Sequence, residues 1–323
     1  MAFDAEGKAQ AFADSLETND HTHEHRRTRR EVRDFLSVPP THEIRLTKPL
    51  EIKKTLKHIH NDKVPSPDNI TVNTLKQMPK KGFTHLTKIS NTSLRLNHFP
   101  EPFRKAHVIM IPKPGKDPLF PQNHRSISLL DHAGKVLERI ILSRLQTHTQ
   151  NVITETQFAY KSEYSTTIQL LRIIDYIITG FLNREHTTAV FFDIENALDS
   201  VWHMGLVKKL ITANLPDVYI QLQHSFLRNR LYRVRYDKQL TNWCPMNAGV
   251  SQGSVLAPTP YCIYMSDIPK HAHTEIAQYA DDTAIYTTHK DIHTKPHTKT
   301  YTLTREEYNR TLTNSQPGSP SGE

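Results

Sequence analysis

Three carboxylates carry the first chemical signal in this chain of 323 residues. An apolar run, Ala189-Val-Phe-Phe192, leads straight into Asp193, and its composition predicts a buried strand ending at that acid. Eighty-eight positions further on, Gln278-Tyr279-Ala280-Asp281-Asp282-Thr283-Ala284-Ile285-Tyr286 reads as strand, acidic turn, strand, with Asp281 and Asp282 at the tip of a hairpin. Either half alone is a weak signal, since a single Asp often ends a strand and an Asp pair often makes a turn. Together, three carboxylates on two adjacent strands form a site for two hard divalent cations. Mg²⁺ takes oxygen ligands, keeps several waters and is held by a few carboxylates plus phosphate oxygens. Two such ions activate an attacking hydroxyl and stabilise a leaving pyrophosphate.

The segments that must position these acids alternate between helical and strand periods. Ile52, Leu56 and Ile59 predict a helix over 51–60, and a second is expected over 83–97. Leu130, Ala133, Leu137, Ile140, Ile141 and Leu145 form a stripe that predicts a core-packing helix over 130–145. Ser165 is placed to cap a helix over 166–182, whose apolar face carries Ile168, Leu171, Ile174 and Ile178. Helices over 201–213 and 217–227 precede an alternating strand at 231–236 that turns at Asp237-Lys238. Arg228, Arg230, Arg233 and Arg235 around that strand either meet a nucleic acid backbone or line a solvated face. Gly249-Val-Ser-Gln252-Gly253-Ser254 is a loop before a helix, and Gly253 lets the backbone approach a ligand closely. Pro260 would cost about 3 kcal/mol in a helix interior. Either the helix starts later or the segment is degraded.

Composition narrows the class. Net charge is +8 and hydrophobic content 37%, which predicts a lean core with polar tails and suits a polyanionic partner. Between Thr41 and Asp117, 15 Lys and Arg stand against 6 Asp and Glu, so this segment supplies the whole excess. Binding of phosphates there would weaken steeply with salt. The two cysteines, Cys244 and Cys262, make neither a disulfide framework nor a four-ligand zinc set, and suit a reducing compartment. His21, His23 and His25 alternate without a partner cluster and read as a solvated run. No apolar stretch reaches 18 residues and no signal-peptide core is visible, so an intracellular protein with no membrane partner is expected, with nucleus and cytoplasm undistinguished. Residues 1–40 read as a polar, partly disordered linker with one helix over 26–35, and 291–323 as a polar tail disordered after about Leu312.

Three segments resemble motifs of reverse transcriptases, in order and at similar spacing, over roughly Ile52 to Ile285. They are Phe192-Asp193-Ile-Glu-Asn-Ala-Leu198-Asp199-Ser-Val-Trp-His203 through Leu210, Ala248-Gly-Val-Ser-Gln252-Gly253-Ser-Val-Leu, and Tyr279-Ala-Asp281-Asp282. The likeness is greatest to jockey-type non-LTR retrotransposons, as a piece truncated at both ends. The resemblance implies an α+β fold: the fingers and palm of a right-hand polymerase, an antiparallel palm sheet packed on helices, and no complete thumb. It divides the chain into a linker (1–40), an N-terminal helical extension of the fingers (41–93), the catalytic domain (94–290) and the tail (291–323).

It further implies RNA-directed DNA synthesis, with an RNA template, a DNA primer and deoxynucleoside triphosphates as partners and two Mg²⁺ ions, or Mn²⁺, as cofactor. Asp193, Asp281 and Asp282 would be catalytic and hold the metals, with the Ile194 backbone carbonyl completing a shell. Lys113, in the loop Pro112-Lys-Pro-Gly-Lys-Asp117, and Arg125 would take the nucleotide's phosphates. Gln252 and Gly253 would border its sugar or base pair, and Leu198 stands under the sugar where the family usually has an aromatic residue. Other departures are Ser126 for Pro, Ser66 and Asn69 for the glycines of a Pro-Gly-Pro-Asp-Gly loop, and Ala159, Tyr160 and Lys161 in a Gln-Phe-Gly-Phe-Arg motif that begins at Gln157. The substitutions at Ser126, Leu198, Ser251 and Pro260, with no recognisable thumb, motivate an alternative: a catalytically dead relic with residual nucleic-acid binding. An RNA-dependent RNA polymerase is a weaker option, because its turn commonly reads Gly-Asp-Asp.

Overall fold

A run of helices is followed by strands and helices in a mixed α+β arrangement, in a computed structural model that describes residues 4–17, 26–61, 63–64, 68–194 and 196–290. One sheet is built on β1 (Lys105–Pro112) and β2 (His124–Leu129), which pair antiparallel with Ile111 opposite Arg125. On its other side β1 pairs in parallel with β4 (Arg230–Tyr236). The strand β4 turns at Asp237-Lys238, as its alternation predicts, into β5 (Gln239–Leu240), and also pairs with β6 (Cys244–Met246). The parallel β1–β4 pairing joins residues more than 120 positions apart and has no local sequence signal.

A second sheet carries the acids. It has the order β3-β8-β7, all antiparallel, from β3 (His186–Phe192), β7 (Glu275–Tyr279) and β8 (Asp282–His289). The strand ending at Asp193 is therefore present, but it is not buried. Among the described residues it is an edge strand, paired with β8 on one side, and Phe191 is 77% exposed.

Helices α3 (Pro49–Lys57), α4 (Val72–Lys76), α5 (Lys80–Arg95) and α6 (His132–Thr149) bring Ile52, Leu56, Leu75, Leu86, Leu137, Ile140, Ile141 and Leu145 into the main core. Helices α8 (His203–Thr212) and α9 (Asp217–Leu227) add Leu206, Leu210, Leu222 and Phe226 to the same core. Ser165 caps α7 (Thr166–Leu182) by accepting the Ile168 N–H, as its position predicts. The apolar stripe of α7 is not what packs, however. Gln169 donates to the Thr156 and Gln278 carbonyls, Arg172 to the Ile276 carbonyl, and Gly180 lies against Thr187 and Thr288. These anchors turn Leu171, Ile174 and Ile178 outward, leaving each about half exposed.

The N-terminal stretch also departs from the composition-based expectation. Residues 1–40 predict a linker without a core, yet α1 (Ala5–Glu17) buries Phe12 and Ala13 against Ala106, Val108, Tyr232 and Val234. Helix α2 (Arg26–Ser37) covers the expected 26–35, buries Val32, and joins α8 through a Glu31–Lys208 ion pair of 2.8 Å. The difference at α1 follows from its partner. The first sheet leaves an apolar face that Phe12 and Ala13, with Leu16 beside them, pack against. Asn69 takes φ 60, a left-handed angle that Asn tolerates better than most residues. Ser66 and the 291–323 tail lie outside the described residues, as do His21, His23 and His25. Among the described residues no helix is long and apolar enough to cross a membrane.

Candidate active site

The antiparallel pairing of β3 with β8 places two acids at one end of the sheet. Phe192 pairs with Thr283, so Asp193, the next residue of one strand, and Asp282, the first of the other, emerge at the same edge. Asp281 sits in the turn between β7 and β8, beside Ala280. The charges interact. Partial burial pushes the Asp282 carboxyl above its usual range, and the neighbouring Asp281 and Asp193 push it further. Tyr160 is also close, because burial, Cys262 and Asp281 together raise its hydroxyl.

The acidic turn is held from behind by Gln157, which is 1% exposed. Its side-chain amide donates to the Ala280 carbonyl at 3.1 Å. Its oxygen accepts the N–H of Ala280 at 2.9 Å and of Ala159 at 3.0 Å. Ala280 has φ 58, an angle a non-glycine residue adopts at a cost of roughly 1–2 kcal/mol. Both polar groups of its backbone are bonded to one side chain, which keeps it there. Backbone bonds between Phe158 and Gln278 and between Gln278 and Thr156, both 3.0 Å, extend the bracket.

A second bracket surrounds the loop before α10 (Pro258–Tyr264). The N–H groups of Gly249 and Val250 donate to the carbonyls of Val201 and Leu198, both at 2.8 Å. The Ser128 N–H of β2 donates to the Gln252 carbonyl at 2.7 Å. A Cβ on Gly249 would sit 2.6 Å from the Asp199 carbonyl oxygen, and one on Gly253 2.5 Å from that of Ser128. Both glycines have positive φ, so they are required by backbone packed on backbone. The close approach at Gly253 is thus to β2. The side chain of Gln252 donates to Asp199 Oδ2 at 3.0 Å, and so does the Ser126 hydroxyl. Ser126, where a proline would have no hydroxyl, ties β2 to this loop.

From α6, the buried Glu138 accepts the Ser254 hydroxyl at 2.7 Å and the N–H groups of Val255 and Leu256 at 2.6 and 3.1 Å. The helix α10 begins at Pro258, which puts Pro260 in its first turn. An N–H there has no intrahelical partner to lose, so neither proline interrupts the helix.

Lys113 and Arg125 lie at one end of the β1–β2 hairpin. Lys113 follows the pair Pro112–His124, and its ammonium donates to the Gln122 carbonyl at 3.0 Å, while Arg125 is exposed. Leu198 and Ile194 pack partly against the main core. Of the four arginines near β4, Arg230 is buried over the Phe226 ring and Arg233 stacks 4.6 Å from Trp243, while Arg228 and Arg235 are exposed.

Comparison with known proteins decides the family. Residues 111–313 match the family described as reverse transcriptase (RNA-dependent DNA polymerase). This chain belongs to the reverse transcriptases. It is 34% identical over 303 residues to the RNA-directed DNA polymerase from mobile element jockey of Drosophila melanogaster, a match covering 88% of this chain and 32% of that protein. It is 35% identical over 244 residues to the probable RNA-directed DNA polymerase from transposon X-element of the same fly, covering 73% and 27%. Identity to the probable RNA-directed DNA polymerase from transposon BS is 34%, over 88% of this chain and 33% of the relative. The chain spans about a third of the length of these curated relatives.

The donors in this reverse transcriptase chain suit divalent cations chemically. They are carboxylate oxygens, and the mutual repulsion that raises Asp282 is what a cation would relieve. Among the described residues no three Asp, Glu, His or Cys side chains are gathered into one closed set. An open site of this kind leaves most of an ion's shell to water and phosphate oxygens, which is how Mg²⁺ is commonly held. Sequence reading missed Gln157 as the anchor of the turn, and missed Asp199 and Glu138 altogether. The available signal was their polarity beside apolar or glycine-rich segments, because the partners that give them these roles, Ala280, Gln252 and Ser254, lie 123, 53 and 116 positions away.

Proposed function

We propose that this chain carries the nucleotide-adding site of an RNA-directed DNA polymerase from a mobile element. The observation that supports this most is the shared edge of β3 and β8, where Asp193, Asp281 and Asp282 interact electrostatically. In this reading the β1–β2 hairpin with α3–α5 forms the fingers, and the β3-β8-β7 sheet with its helices forms the palm. The boundaries read from sequence, 41–93 and 94–290, serve as the working division.

The primer 3′-hydroxyl attacks the α-phosphorus of a deoxynucleoside triphosphate, a new P–O bond forms, and the bond to the β-phosphate breaks to release pyrophosphate. Asp193 and Asp281, with Asp282 in support and the Ile194 carbonyl nearby, would hold Mg²⁺ or Mn²⁺. Bound there, the ions lower the pKa of the hydroxyl and neutralise charge on the phosphates. Lys113 and Arg125 meet the triphosphate, Arg125 with a planar fork that stays charged. Leu198 and the Gln252–Gly253 segment border the nucleotide's sugar. The basic 41–117 segment attracts the template and primer. Catalysis then rests on positioning and charge neutralisation.

A second reading, nucleic acid binding without catalysis, draws on the absence of a closed acidic set among the described residues and on Leu198 at the sugar position. Extension of a DNA primer on an RNA template, with Mg²⁺ and separately with Mn²⁺, tests the first against the second. Extension with either ion supports the polymerase. Binding without extension supports the relic.

A further inference from the structure

The carboxylate of Asp199 is the meeting point of three segments far apart in sequence. Its Oδ2 accepts the Gln252 side-chain amide and the Ser126 hydroxyl, each at 3.0 Å. Its own backbone packs on Gly249, and the residue before it, Leu198, accepts the Val250 N–H. We propose that Asp199 is a positioning residue for nucleotide addition, holding the Gln252 side chain and strand β2 in one arrangement against the site bordered by Leu198. The proposal rests on the reading of that site as nucleotide-adding.

Backbone hydrogen bonds set the path of the 249–253 loop, and the Asp199 side chain holds that loop against β2 through Gln252 and Ser126. Among the described residues, the side chain of Gln252 is held by its hydrogen bond to Asp199 Oδ2. Ordering such a side chain is a cost that falls on nucleotide binding unless it is met beforehand. A carboxylate suits the task because it accepts from two donors and competes for neither with a donor of its own. The same oxygen links the fingers hairpin to the loop through Ser126, one residue from Arg125. Movement of the phosphate-facing hairpin is thereby coupled to the sugar-facing loop. Burial raises the Asp199 carboxyl, and the bonds from Ser126 and Gln252 oppose that shift. A small cavity of about 30 Å³ adjoins Asp199, Ser126 and Ser128, with Leu16 and Glu17 of α1 on its wall, so the N-terminal helix helps to enclose the carboxylate.

The test compares wild type with Asp199→Ala, Asp199→Asn, Gln252→Ala and the Asp199→Ala/Gln252→Ala double variant. Single-nucleotide extension should show a KM for deoxynucleotide about tenfold higher in Asp199→Ala, with kcat changed by less than about threefold. Asp199→Asn, whose one remaining oxygen still accepts, should recover part of that loss. The double variant should lose less than the sum of the two single losses, because both single variants remove the Gln252–Asp199 bond while the Ser126 bond is lost once. Hydrogen exchange supplies a readout independent of catalysis. The amides of Ser128, Gly249 and Val250 should exchange several-fold faster in Asp199→Ala, with those of the β7–β8 hairpin unchanged. A wild-type KM in Asp199→Ala, additive losses in the double variant, or unaltered exchange at those three amides would overturn the proposal. If wild type neither extends a primer nor binds nucleotide, the functional reading fails instead, and the exchange comparison still decides whether Asp199 holds the loop.

Discussion

Replacing Gln157 by Ala should loosen the turn that carries Asp281 and Asp282 and lower activity through it. The side chain makes three hydrogen bonds to backbone, at 2.9, 3.0 and 3.1 Å, in a site only 1% exposed. Each such bond contributes roughly 0.5–1.5 kcal/mol net, and each buried group left without a partner costs about 1–3 kcal/mol. Three of them at net value come to about 3 kcal/mol. The left-handed Ala280 returns roughly 1–2 kcal/mol if the turn relaxes to an ordinary angle. The global loss should therefore be about 2 kcal/mol, while the turn itself changes shape. Thermal unfolding should show a fall in Tm of about 4–8 °C at 2–4 °C per kcal/mol. Primer extension should fall by more than tenfold under conditions where the variant remains folded. Ala280→Gly, which removes the angular cost, should be neutral or slightly stabilising in the wild-type background. A Gln157→Ala variant with unchanged Tm and wild-type extension would refute the role assigned to this bracket.

Other outcomes follow from the same geometry. Leu198→Phe should raise the ratio of kcat/KM for deoxy- over ribonucleotides, read by single-nucleotide extension with each, and an unchanged ratio would mean Leu198 does not face the sugar. Glu138→Gln should cost about 1–3 kcal/mol in denaturant unfolding, because a carboxylate accepting three hydrogen bonds at 254–256 becomes an amide. Burial, and then the charge of Asp68, pushes the Asp131 carboxyl up to about 6 from the usual 3.8. The folded chain therefore holds a proton that the unfolded chain releases at lower pH. The stability this confers is fully present below about pH 4 and is lost as pH rises through about 6. Asp131→Asn should flatten that part of the stability profile, by at most about 3 kcal/mol at 1.36 kcal/mol per unit.

How far the sequence reaches depends on whether the cause of a feature is local. The stripe of α6 is, since Leu137, Ile140, Ile141 and Leu145 share one face by period alone, and all are in the core. The hairpin around Asp281-Asp282 and the cap at Ser165 are also set by neighbours in the chain. The strands that carry Asp193 and Asp282 were legible in their segments, and their pairing brings these two acids to one end of the sheet. What period cannot say is which side of a helix finds a partner. On α7 the hydrogen bonds of Gln169 and Arg172 to strand carbonyls decide it, against the apolar stripe. Helix α1 was illegible because its burial depends on a sheet face assembled from β1 and β4. The prolines of α10 are harmless because the helix starts at the first of them, just after the 254–256 segment that Glu138 holds from a distant helix. Gln157 and Asp199 act on groups far along the chain, so their types alone did not reveal them.

The most direct test of the central claim is single-nucleotide extension of a DNA primer on an RNA template by wild type, Asp193→Asn and Asp281→Asn, with Mg²⁺ and with Mn²⁺. Circular dichroism and Tm measured alongside confirm that each variant is folded. The account predicts extension by wild type with at least one of the ions, and none by either variant, because a charged ligand is lost where phosphate charge must be neutralised. Extension by either variant at the wild-type rate would contradict the assignment of these acids, and its absence in wild type with both ions would contradict the polymerase reading itself.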